Sequence, residues 1–173
     1  MIAVEINKCR PKVKFPIIAW LIMILQGMAP WNKTSWSHMS LSYTSITGNK
    51  KFIDATGTLG VTERIASRFA KKYTVIESMM FTPEINETQF QHWVESQEGK
   101  MYDHGQIAGL LMKILGLTTI NVLGDNFKKL TCNELVITYL NEFHNADIFN
   151  SDQFDLNMTW VLARTIGSTG VSK

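Results

Sequence analysis

The chain is poor in cysteine, with only Cys9 and Cys132 among 173 residues. Two cysteines do not make a disulfide framework. They do not make a metal site either. His38, His92, His104 and His144 are scattered, without the close spacing of a ligand set, so no metal and no cofactor are expected. Charge of one sign is also scarce: the net charge is +2, and the 17 Lys and Arg are only partly clustered, in the segment 8–14, at Lys50 and Lys51, and at Lys71 and Lys72. A nucleic-acid binder would want a basic stripe and a more extreme isoelectric point, so no nucleic-acid partner is expected. Internal repeats, low-complexity tracts and long linkers are missing. What is present is a chain with 45% apolar residues, enough for one domain, 1–173, with its own core. Residues 168–173 read as a tail.

One apolar run needs interpretation. Lys8, Arg10, Lys12 and Lys14 precede the apolar residues 15–25, and Gly27, Met28 and Ala29 follow. The order imitates a secretory signal. Residues 2–6, however, read as a strand placed before the basic part, and Pro30 would follow the cut. At 15–25 the run is also shorter than the roughly 20 apolar residues that cross a bilayer. A core helix over 17–26 is expected, opened by Pro16 and stopped by Gly27. Membrane contact through 17–25 is not favoured.

Periodicity then gives the elements. Residues 37–43 alternate, with Met39, Leu41 and Tyr43 on one face and His38, Ser40 and Ser42 on the other. Gly48 and Asn49 mark a turn, and 51–56 read as a second strand. Residues 61–69 are ambiguous, with a strand favoured in the first half. Residues 73–81 are rich in β-branched and aromatic side chains and read as a strand. After Pro83 the spacing becomes helical. Capping signals stand at Asn86 with Gln89, at Asp103 with Gln106, and at Thr131 with Glu134. Asp155 caps a last helix containing 160–166. The class is α+β: an antiparallel sheet packed against helices.

Cys132 follows the capping Thr131 and so occupies the first position of a helix. Its thiol lies among unpaired N–H groups at the positive end of the helix dipole, which favours thiolate. The Cys132 backbone N–H, framed by Thr131 and Glu134, is placed to hold an oxyanion. A buried, inert cysteine that happens to start a helix is the alternative. A thiolate nucleophile needs a base oriented by a third polar group. His92, His104 and His144 read as surface residues. His38, on the polar face of a strand, is the candidate base. Asp54, on the next strand, is the candidate third member, provided that a loop spans Thr44 to Gly48. A tight turn at Gly48 and Asn49 would instead set Asp54 opposite Tyr43, on the other face.

Three stretches carry a family likeness. The run Ser37, His38, Met39, Ser40, Leu41 resembles the Ser-His-Val-Gly-Ile strand of the permuted NlpC-like cysteine hydrolases, the YiiX and lecithin:retinol acyltransferase branch of the papain-like enzymes. Phe52, Ile53, Asp54, Ala55 resembles that group's next strand, where an acid precedes Ala. Thr131, Cys132, Asn133, Glu134, Leu135, Val136 resembles its nucleophile helix, with Asn133 where Ser is usual. The order His, acid, Cys is the permuted one. The style of the chain, including Tyr102 and Asp103 before a helix, is also similar to bacteriophage-encoded members. The resemblance implies a permuted papain-like fold and a thiol hydrolase. In it Cys132 attacks a carbonyl, His38 moves the proton and Asp54 orients the imidazole. Implied substrates are a peptide, a peptidoglycan-like amide or an acyl thioester or ester. A non-catalytic accessory protein with virion partners is the remaining alternative. A cytoplasmic or virion-associated location is favoured over secretion.

Overall fold

Alternating apolar residues in the first half of the chain build five strands, and capping residues in the second half start helices. The computed structural model describes residues 1–12, 19, 22–24, 35–118, 129–148 and 154–169. The strands are β1 (Val4–Pro11), β2 (His38–Thr44), β3 (Lys50–Thr56), β4 (Gly60–Ile65) and β5 (Tyr73–Phe81). They form one sheet in the order β4-β3-β2-β1-β5, with every neighbouring pair antiparallel. The helices are α1 (Ala66–Lys72), α2 (Glu87–Gln97), α3 (His104–Ile114), α4 (Cys132–His144) and α5 (Leu156–Thr169). The architecture is α+β.

The expected elements shift in four places. First, β1 runs on to Pro11 and carries Lys8, Cys9 and Arg10 into the sheet. The Lys8 ammonium is accommodated there: it meets Glu77 at 2.8 Å and lies 4.3 Å and 5.2 Å from the Trp160 and Trp36 rings. Lys8 and Arg10, two of the basic residues that imitate a signal head, are therefore strand residues. Second, the ambiguous stretch divides at Ile65, where β4 gives way to α1. Third, the turn after β2 is a longer connection over 45–49, tied by hydrogen bonds between Ser45 and Asn49. Fourth, Ser168 and Thr169 belong to α5 rather than to a tail, and 170–173 lie outside the described residues. In the helix expected over 17–26, Ala19 and 22–24 are helical, and the rest lies outside the described residues.

The core forms where α4 crosses β2. Met39, Leu41 and Tyr43 of β2 and Leu135, Val136, Tyr139 and Leu140 of α4 are all fully buried. Tyr139 stands amid rings, with Phe143 at 5.5 Å, Trp93 at 6.0 Å and Phe90 at 6.2 Å. Offset and edge contacts of this kind add to the burial of each ring. Truncating a buried Leu such as Leu135 to Ala would remove about 2–5 kcal/mol. A smaller cluster of Cys9, Phe52 and Phe69 lies under α1, with the Phe52 and Phe69 rings stacked at 4.1 Å. Ser40 and Ser42 are buried as well, although their face of β2 reads as polar. Asn7 bridges this face, donating to Ser42 Oγ at 3.0 Å and accepting from Ser78 Oγ at 2.7 Å.

Gly60 opens β4 with φ +65°, and a Cβ there would fall 2.1 Å from the Lys100 carbonyl oxygen. That oxygen already accepts from the Val61 N–H at 2.9 Å, so the backbone there is tied. Gly60→Ala is expected to cost about 2 kcal/mol or more, from strain and clash together. A chemical-denaturation midpoint equal to that of the parent protein would refute this.

Candidate functional site

Helix α4 starts at Cys132 because a capping box forms around it. Thr131 is extended, at φ −85° and ψ 173°. The Glu134 N–H donates to Thr131 Oγ1 at 3.4 Å, and the Thr131 N–H donates to Glu134 Oε2 at 2.7 Å. Asn133 Nδ2 donates to the Phe154 carbonyl at 2.7 Å, which ties this turn to the segment before α5. The first helical bond runs from the Leu135 N–H to the Thr131 carbonyl, at 3.0 Å. The N–H groups of Cys132 and Asn133 thus precede the helical ladder. The Thr131 N–H is occupied by the cap, so Thr131 and Glu134 frame this corner rather than offer donors to it.

His38 is the first residue of β2 and pairs with Cys9 of β1. Its ring lies flat against Tyr73, with centroids 4.4 Å apart and planes 13° apart. The register of β2 on β3 brings in Asp54. Leu41 pairs with Ile53 and Thr44 with Lys50, so the connection 45–49 acts as the longer of the two alternative turns. Asp54 consequently shares a face with Ser40 and His38. Asp54 Oδ2 lies 3.5 Å from His38 Nε2, and the carboxylate is completely buried. At that distance the contact is one of charge rather than a well-formed hydrogen bond, and Nε2 has no hydrogen-bond partner among the described residues.

Asp54 has a second partner that spacing alone does not announce. Arg64 Nη1 lies 3.3 Å from the same Oδ2. The guanidinium is held in turn by Thr62 Oγ1 at 2.9 Å and Thr56 Oγ1 at 3.4 Å. A buried carboxylate without a cation would be costly, and here it has one on each side. Parity along β4 could have found Arg64: Asp54 pairs with Thr62, so Arg64 emerges on the same face two residues on.

Cys132 reaches the imidazole from the helix side. It is 4% exposed and His38 7%, so the two groups meet out of bulk water. Burial opposes charge on His38. The Cys132 sulfur, first through its charge, and the Asp54 carboxylate outweigh that penalty and push the imidazole up to about 9. Two phenols close the site. Tyr102, just before α3, lies near Cys132; burial first, and then the charge of Cys132, push its hydroxyl well up. Tyr73 is pushed up by burial and then by Asp54 and Cys132. Both are neutral donors near neutral pH. Neither appears as a candidate in the sequence, because nothing in the spacing of Tyr102 ties it to Cys132.

The structure therefore brings Cys132, His38 and Asp54 into one buried cluster. The other histidines lie apart. His92 is exposed on α2, near Glu95 at 3.9 Å. His104 is exposed, with Nε2 3.2 Å from the Gly57 carbonyl oxygen. His144 is not the surface residue expected: it is half-buried, with Nε2 3.1 Å from the Tyr139 hydroxyl and its ring against Phe81. Among the described residues no group of three or more His, Cys, Asp or Glu could hold a metal ion. No described helix is long and apolar enough to cross a membrane. Comparison with protein-family models, curated proteins and solved structures gave no match.

The raised His38 value has a definite sign in solution. The folded imidazole binds its proton more tightly than the unfolded one, whose ordinary value is 6.5. The stabilisation, at most about 3 kcal/mol, is fully present below pH 6.5 and is lost as pH rises through about 9. An NMR titration of the His38 ring should show a midpoint near 9, and Cys132→Ala should lower it by removing the largest favourable contribution. A parent midpoint at 6.5 or below would contradict the described contacts.

Proposed function

We propose that the chain is a thiol-dependent hydrolase that cleaves an amide bond, using Cys132 as nucleophile, His38 as base and Asp54 as the group that orients the imidazole. The observation that carries this reading is the meeting of a sulfur at the start of α4 with a buried imidazole whose Nε2 faces a buried carboxylate. Nucleophile, base and orienting acid in sequence is the arrangement that covalent catalysis by cysteine requires. The likeness of the His38, Asp54 and Cys132 stretches to the permuted NlpC-like hydrolases points the same way. On this reading the fold is a permuted papain-like one, with the histidine strand and the acid strand preceding the nucleophile helix.

The chemistry runs in two halves. With Nε2 turned to Asp54, Nδ1 is the ring nitrogen left for the sulfur. His38 takes the thiol proton through it, and the thiolate attacks the carbonyl carbon. The carbonyl oxygen gathers negative charge at the positive end of α4, where the Cys132 N–H meets it. The neutral Tyr102 hydroxyl, near the sulfur, is a second donor for that corner. His38 then gives its proton to the departing amine, and the C–N bond breaks to leave a thioester. Water attacks the thioester, giving a proton to His38. The carboxylic acid leaves, and the sulfur recovers the proton from His38. An acyl thioester or lipid ester would be cut by the same steps with a different leaving group.

Cys9 serves as an internal control. Burial pushes its thiol up to about 12, although a hydrogen bond with Ser40 pulls the other way, so it stays protonated at neutral pH. At pH 7, iodoacetamide should label Cys132 at least about tenfold faster than Cys9, and His38→Ala should abolish most of that advantage. Equally slow labelling of both cysteines would remove the hydrolase reading. Peptide release from peptidoglycan fragments, with acyl thioesters left intact, is the expected substrate pattern, and the opposite pattern would select the acyl branch.

A further inference from the structure

We propose that Arg64 is a positioning residue of this site: by balancing the Asp54 charge, it allows Cys132 to ionise beside His38 at neutral pH. The inference rests on the hydrolase reading and adds a residue to it. Four groups form a row in which the signs alternate: the Cys132 sulfur, the His38 imidazole, Asp54 Oδ2 and the Arg64 guanidinium. His38 Nε2 and Arg64 Nη1 approach the same oxygen, at 3.5 Å and 3.3 Å. The Arg64 side chain is itself 9% exposed and tied by Thr56 and Thr62, so it is a fixed cation rather than a passing surface charge. Arginine keeps its proton throughout the accessible range.

Counting charge shows what Arg64 does. With Arg64 present, Asp54 is already matched. A thiolate with an imidazolium and a thiol with a neutral imidazole are then both neutral clusters, and the proton is free to move between sulfur and nitrogen. Without Arg64 the neutral cluster is a different one: a thiol, an imidazolium and the Asp54 carboxylate. Ionising the sulfur would then leave a net negative charge in a buried site, which is strongly disfavoured. His38 would stay protonated to serve Asp54, and a Cys132 thiolate would have no cation left to match it.

The remaining groups facing this row do not supply the missing charge. Cys9 of β1 is a protonated thiol, and Tyr73 of β5 and Tyr102 ahead of α3 are neutral phenols. Glu134 of α4 is turned to the Thr131 cap. Arg64 is the one fixed cation among the described residues in contact with Asp54.

The test is the pH dependence of Cys132 alkylation in the full-length protein, read at single-cysteine resolution by mass spectrometry with iodoacetamide. Arg64→Met should lower the rate at pH 7 by at least about tenfold and move the onset of reactivity upward by about one pH unit or more. Arg64→Lys, which keeps the charge, should retain most of the neutral-pH rate. The decisive variant is the pair Asp54→Asn with Arg64→Met. It removes both charges and restores the balance, so it should label faster than Arg64→Met alone, while staying below the parent rate because Asp54 no longer orients the imidazole. A purely structural role predicts no recovery, and predicts faster labelling of buried Cys9 in the Arg64→Met protein as the fold loosens. An Arg64→Met profile that overlays the parent's, or a double variant no faster than Arg64→Met, overturns the proposal. A parent protein whose Cys132 fails to react at pH 7 overturns the hydrolase reading instead.

Discussion

The pairing of β2 with β3 decides which face of the sheet Asp54 occupies. Side chains alternate along a strand, so a slip of one residue would carry the carboxylate to the side of Met39 and Leu41. There it would stand unpaired in the apolar core, which neither the fold nor the site could tolerate. The connection 45–49 prevents the slip, since Ser45 binds both backbone groups of Asn49 and Gly48 turns with φ +81°. With Leu41 set against Ile53, Asp54 faces His38 on one side and Arg64 on the other. The same parity carries Cys9 and Ser40 to that face, where they meet at 3.4 Å.

Burial then determines how the groups behave. The cluster is almost closed to water, so each charge has to find its counter-charge inside the protein. Low polarity strengthens every such contact and makes every missing one more costly. That is why His38 can hold a proton more tightly than usual despite a strong burial penalty. It is also why one carboxylate oxygen serves two cations. The capping box works alongside, because it fixes where α4 begins and therefore where the sulfur sits along the sheet.

Much of this arrangement was legible in the chain. The strand over 73–81, the alternation that puts His38 with Ser40, and the capping residues at Asn86, Asp103, Thr131 and Asp155 all follow from local rules, and the structure reproduces them. The illegible parts share a physical cause. Helix α1 has Ile65 at its N-cap, with no side chain bonded to its first turn, so nothing local marks where β4 ends. With the end of β4 and its register on β3 unmarked, Arg64 had no partner assigned to it. The extent of β1 was hidden because its cations look solvated until Glu77, Trp36 and Trp160, all distant in sequence, come to meet Lys8. His144 likewise reads as polar until Tyr139 and Phe81 enclose it.

The two cysteines show how finely position separates chemistry. Both are buried, and both adjoin His38: Cys9 through the β1–β2 pairing, Cys132 through its side chain. Cys9 sits mid-strand against Phe52 and Phe69, where the backbone N–H groups are spent on the ladder and no helix end offsets a negative sulfur. Desolvation governs it, and the nearby charges of Asp54 and Cys132 push in the same direction. Cys132 has the N-terminal turn of α4 beneath it and an imidazolium beside it. A substitution that moved the start of α4 by one residue would keep the cysteine and the histidine but rotate the sulfur by about 100° around the helix. On the proposed reading, the chemistry depends less on having a cysteine near a histidine than on Thr131 and Glu134 ending the loop where they do.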